Sequence, residues 1–163
     1  MKKYFLFLLI FSSCTRSSTK VVEDDQTLYS RLTLPIENSF LGLKLQFYSL
    51  FPSLYGYVIC EDYTFDSKKT TTLTLTINKK STTYECPVLL GSQKLFLPKN
   101  AVIQIIHGLK EQNRIHIAIE SDEGFIDGNK DFEKKYALLC KNISLFDKIT
   151  IKSADYLDIN NYQ

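Results

Sequence analysis

Thr70-Thr71-Thr72-Leu73-Thr74-Leu75-Thr76-Ile77-Asn78-Lys79-Lys80-Ser81-Thr82-Thr83-Tyr84-Glu85-Cys86-Pro87-Val88 decides the fold class. Leu73, Leu75 and Ile77 alternate with Thr72, Thr74 and Thr76, the period of two that marks a strand with one buried face. Asn78 to Ser81 is polar and turn-forming, and Tyr84, Cys86 and Val88 then resume the alternation. The stretch therefore predicts a β-hairpin.

The same period recurs on both sides of it. Leu28, Leu32 and Leu34 alternate with Tyr29, Arg31 and Thr33, and Leu41, Leu43, Leu45 and Phe47 alternate with Gly42, Lys44 and Gln46. Ile103 and Ile105, a polar loop from Gly108 to Asn113, and Ile115, Ile117 and Ile119 predict a second hairpin. Ile149 and Ile151 against Lys148, Thr150 and Lys152 predict a last strand. Short strands joined by polar turns point to an all-β fold, an antiparallel β-sandwich, Ig-like or similar, or a small barrel. One segment departs from the period. Phe132, Tyr136 and Leu139 are spaced as on a helix and follow Asp131, a candidate N-cap, which predicts one short helix near 131–141.

The whole chain has 163 residues, 44% of them hydrophobic and 23% charged, the proportions of a folded domain. It carries 20 Lys and Arg against 18 Asp and Glu. Two of the basic residues, Lys2 and Lys3, lie in the opening segment, so the remainder is neutral and offers no footprint for a polyanion; nucleic acid is not the expected partner.

That opening segment has the build of an export signal. Lys2 and Lys3 are followed by an apolar run from Tyr4 to Phe11 and by Ser12 and Ser13. Eight apolar residues rise only about 12 Å as a helix, too short to span a bilayer. Phe11-Ser12-Ser13-Cys14 resembles the lipobox of bacterial lipoproteins. The resemblance is confined to the signal and implies acylation of Cys14 with palmitate-type chains, which become a membrane anchor. Thr15 in place of Asp after the cysteine implies the outer membrane, on either its surface or its periplasmic face. The expected organisation is a signal peptide over 1–13, a lipid-anchored polar tether over 14–26 and a β-sandwich domain over 27–163.

Motifs for catalysis are scarce. The chain has no G-x-S-x-G, H-E-x-x-H, Gly-rich phosphate loop or C-x-x-C. Its two histidines, His107 and His116, fall on the two strands of the second expected hairpin, where a carboxylate such as Glu120 would complete a metal set. The plainer expectation is an exposed His116 and a half-buried His107, with no metal and no cofactor. In the stretch Asp122 to Asp131, Asp127, Asn129 and Asp131 have the opening spacing of a calcium loop, but Phe132 and Leu138 stand where Gly and a bidentate Glu are required, so a solvated acidic turn is expected over the stretch. Asn142-Ile143-Ser144 is a glycosylation sequon with meaning only in a eukaryotic setting. Cys60, Cys86 and Cys140 permit at most one internal disulfide, for which Cys60 with Cys86 is chosen.

The segment from Phe47 to Tyr57 is aromatic on both alternations, so one buried face cannot hide all of its rings. They close one end of the core or present a contact surface, and Tyr48, Phe51, Tyr55 and Tyr57 are the candidate partner-binding residues. The function expected from these features is a membrane-anchored, non-catalytic binding or scaffolding module whose partner is an envelope or host protein. Two alternatives stand beside it: a secreted Ig-like effector or immune-modulating protein without the lipid, and a small envelope hydrolase using His107 or His116.

Overall fold

The computed structural model describes residues 20–24, 29–50, 53–65, 70–89, 91, 93–120, 122–141 and 150–151. Along the chain run β1 (Lys20–Asp24), β2 (Tyr29–Pro35), β3 (Leu43–Leu50), β4 (Ser53–Cys60), β5 (Thr70–Ile77), β6 (Lys80–Pro87) and β7 (Lys94–Phe96). There follow α1 (Lys99–Lys110), β8 (Arg114–Ile119), β9 (Asp122–Asp127), α2 (Lys130–Cys140) and β10 (Thr150–Ile151).

The hairpin expected from Thr70 to Val88 is present as β5 and β6, paired from Thr70↔Pro87 to Ile77↔Lys80. Its turn is tighter than the composition suggests. Only Asn78 and Lys79 lie between the strands, both with positive φ, 50° and 64°, as a two-residue turn that follows the strand twist requires. The strands make two sheets: β1-β2-β3-β4-β10 with β7 also on β4, and β6-β5-β8-β9. Every pairing is antiparallel except β10 with β4. The fold is thus all-β and sandwich-like, with two short helices among the described residues.

Two isolated bridges tie the sheets together at their margins. Val88↔Leu95 connects the β6 side of the second sheet to β7 of the first, and Glu37↔Phe125 connects β9 to the chain just beyond β2. The second bridge is a reciprocal pair, Glu37 N–H to Phe125 O at 2.8 Å and Phe125 N–H to Glu37 O at 3.0 Å. Gly124 permits it, because a Cβ there would lie 2.4 Å from Glu37 O. The enclosed space holds one apolar cluster drawn from both sheets: Leu32, Leu45, Phe47 and Val58 from one side, Leu73, Leu75, Ile115 and Ile117 from the other.

The expected strand through Ile103 and Ile105 is instead part of α1. Ala101, Val102, Ile105, Ile106 and Leu109 recur at helical spacing and are all buried, whereas Ile103 is 43% exposed. Pro98 precedes the helix, and Gln112, with φ of 59°, lies just beyond its end. The helix reaches both sheets: a Cβ on Gly56 of β4 would lie 2.7 Å from Val102 Cγ2, and one on Gly108 would lie 3.0 Å from Ile115 Cδ1 and Ile77 Cδ1. The expected helix near 131–141 is α2, capped by Asn129 rather than Asp131. The Asn129 Oδ1 accepts from Phe132 N–H at 2.9 Å, and Asp131 sits in the first turn, where its charge suits the helix dipole.

Two further expectations are corrected. Asp122 to Asp127 is strand β9, not a turn, because Asp122, Gly124 and Ile126 face inward and complete the second sheet. Strand β1 falls within the stretch 14–26 read as tether. Cys60 and Cys86 form no disulfide. They are buried free thiols on β4 and β6, strands of different sheets, and Cys140 on α2 is likewise free and buried.

Candidate functional site

Period two divides the β3–β4 hairpin cleanly. Leu43, Leu45 and Phe47, with Leu54, Gly56 and Val58, face the core, so Gln46, Tyr48, Tyr55 and Tyr57 fall on the outer face of the first sheet. Register then arranges them in rows across the strands. Arg31, Tyr48 and Tyr55 stand opposite one another, and the next row is Thr33, Gln46, Tyr57 and Phe96.

The rings pack edge to face. Tyr48 and Tyr57 have centroids 5.4 Å apart at 79°, Tyr57 and Phe96 5.2 Å at 77°, and Tyr55 and Phe96 6.1 Å at 60°. Phe96 is fully buried yet lies outside the inner core cluster, so this is a second, outer group of rings. The three tyrosines are half-buried. Gln46, 5% exposed, donates from Nε2 to Thr33 Oγ1 at 2.9 Å, while its Oε1 and the Nε of Arg31 are buried without a hydrogen-bond partner.

The structure therefore brings together Tyr48, Tyr55 and Tyr57. Phe51 lies outside the described residues, as do Cys14 and the Asn142 sequon. Sequence reasoning missed Phe96, Gln46 and Arg31. β7 is three residues long, too short for alternation to be read, and Gln46 and Arg31 look like ordinary exposed positions until the register sets them in rows with the outer tyrosines.

The remaining candidates are dispersed. His107 lies exposed on α1 with Nδ1 3.3 Å from Glu111 Oε2, and His116 lies on β8 with Nε2 3.4 Å from Glu123 Oε2. Glu120 accepts from Thr71 Oγ1 at 2.5 Å, so the three residues considered for a metal are engaged separately. Asp127 holds Arg114 through two bonds of 2.6 and 2.8 Å, Asn129 caps α2, and Asp131 pairs with Lys135. The Arg114 hydrogen bonds pull the Asp127 carboxyl below its ordinary pKa. Among the described residues no group of three or more His, Cys, Asp or Glu side chains is placed to hold a metal, and no helix is long and apolar enough to cross a membrane.

One acid is buried by design of the loops. Asp122, at the start of β9, accepts from Ser39 Oγ at 2.6 Å, from the amides of Phe40 and Leu41 at 3.0 Å each and from Glu123 N–H at 2.9 Å. Ser39 Oγ in turn accepts from Leu43 N–H at 2.8 Å. This knot holds the β2–β3 loop against β9 and is structural. No protein family, curated protein or solved structure matches the chain.

Proposed function

We propose that the chain is a lipid-anchored, non-catalytic binding module of the bacterial envelope that meets its protein partner through the outer face of the first sheet. The observation that carries this reading is the convergence of Tyr48, Tyr55 and Tyr57 from two strands onto one face, over Phe96 and apart from the inner core. Half-buried tyrosines offer broad contact area with few rotamers to freeze and a hydroxyl that tolerates water before binding, which is why such rings dominate interface energetics. The anchor is supported by the lipobox resemblance at Phe11 to Cys14. Each buried methylene contributes about 0.8 kcal/mol, so two or more acyl chains hold the protein on the bilayer permanently. Only five residues separate Cys14 from the start of β1 at Lys20, at most about 22 Å of chain, so the partner lies close to the membrane.

The test is site-specific photocrosslinking in the native host. A photoreactive phenylalanine analogue at position 48, 55 or 57 keeps a ring in place and should give one adduct of common identity, whereas Thr74, on the outer face of the second sheet, should give none. Equal adducts at Thr74, or none at the three tyrosines, would remove the aromatic face from the proposal. Labelled fatty acid should tag the unsubstituted chain and not Cys14→Ala; equal labelling of both would remove the anchor.

A further inference from the structure

The margins of the first sheet are unequal. On the far side of β4, β10 pairs with Ser53 and Leu54, and β7 pairs with residues from Tyr57 to Ile59. The two isolated bridges join both sheets at β7 and just beyond β2. β1 is different. It pairs with β2 from Lys20↔Thr33 to Asp24↔Tyr29, and among the described residues nothing pairs with its other side. The outward-pointing N–H and C=O groups of this five-residue strand thus form an open edge, which natural sheets usually protect with short strands, charged side chains, proline or a bulge. Lys20-Val21-Val22-Glu23-Asp24 has no proline, its centre is Val22, and its charges stand toward its two ends, positive at one and negative at the other.

We propose that β1 is a self-association strand, through which two copies of this chain pair antiparallel about a two-fold axis at Val22 and merge their first sheets into one. The register follows from the sequence. In a two-fold antiparallel pair, residues whose backbone groups point outward must meet residues of the same parity, which restricts the centre to a residue rather than a peptide bond. Centring on Val22 pairs all five positions and sets Lys20 opposite Asp24 of the second copy, twice by symmetry. Centring on Val21 leaves Glu23 and Asp24 unpaired, and centring on Glu23 opposes two like charges, which is destabilising. An isologous pair closes on itself and consumes the edge, so it gives a dimer and not a fibre. The inference is independent of the aromatic face and of the lipid on Cys14.

The experiment uses the full chain in detergent micelles. Residues opposite each other in an antiparallel pair have Cα atoms about 4.5–5.5 Å apart, within disulfide range. Mild oxidation should therefore convert Val22→Cys to a covalent dimer much faster than Val21→Cys, whose opposite number is Glu23, with the unsubstituted chain as blank. In sedimentation velocity, Lys20→Glu should weaken the dimer about tenfold, and Lys20→Asp combined with Asp24→Lys should restore it. An unchanged melting midpoint for Lys20→Glu separates lost pairing from lost folding, and the Val22→Cys result stands without that variant. A monomer at all concentrations, equal crosslinking at 21 and 22, or a dimer indifferent to the charge reversal would overturn the proposal.

Discussion

Asp122 shows how a single side chain ties sequence-distant segments together. Burial alone would raise its pKa, but the Ser39 hydroxyl and the amides of Phe40, Leu41 and Glu123 outweigh burial and hold the carboxyl below its ordinary value. A depressed folded value means the ionised form stabilises the fold fully above the unfolded pKa of about 4, and that this contribution is lost as pH falls through and below it. Asp122→Asn should therefore cost about 2 kcal/mol near neutrality, because the knot loses an ionic acceptor, and the gap from the unsubstituted protein should narrow below pH of about 4. Urea denaturation across that pH range measures it. The thiols behave in the opposite sense. Burial, then the nearby charges of Asp122 and Asp62, push Cys60 up to about 11 against a weaker opposing bond from the Tyr63 backbone, and burial pushes Cys86 up to about 12. Both are protonated at pH 8 and shielded, so iodoacetamide should leave Cys60, Cys86 and Cys140 unmodified in the native protein and label all three after unfolding without reductant. Mass spectrometry reads the count.

At the scale of elements, α1 is where periodicity misleads. Ile103 and Ile105 share a face in a strand but stand 200° apart on a helix. Ile105 is fully buried and Ile103 is 43% exposed. Ile105→Ala should accordingly cost about 3 kcal/mol and Ile103→Ala less than about 1 kcal/mol, a contrast absent from any strand in which both face inward. Thermal or urea unfolding of the two variants decides it. The seam between β9 and the end of β2 offers a sharper test. A Cβ at position 124 would meet Glu37 O at 2.4 Å and Ile36 Cγ2 at 2.5 Å, and backbone cannot swing aside as a side chain can. Gly124→Ala should destabilise by about 2 kcal/mol or more and speed hydrogen exchange at the Glu37 and Phe125 amides, whose mutual bonds close the seam.

For the molecule as a whole, the two sheets, two seams and one shared apolar cluster among the described residues predict a single cooperative unfolding transition. Far-ultraviolet circular dichroism, which follows the strands, and tyrosine fluorescence, which follows the packing of the rings, should give coincident midpoints. Much of this architecture was legible in the chain. Alternation identified β2, β3, β5, β6 and β8 because each has one face against the core and one toward solvent or the outer rings, and helical spacing from Phe132 to Leu139 identified α2. It failed at α1, where a period-two pair lies within a period-3.6 set, and at β9, where Asp122 occupies an inward position that a hydrophobic pattern leaves blank. For the candidate site, the crowded rings between Phe47 and Tyr57 were evident in the sequence, since no single buried face could take them all. Local alternation, a property of neighbouring residues, by itself determined the strand-rich class and marked Tyr48, Tyr55 and Tyr57. Only the tertiary structure decided the pairing order, the seams, the free state of Cys60 and Cys86 and the seating of those tyrosines over Phe96, because each depends on contacts between residues far apart in the chain, which the spacing of neighbours does not encode.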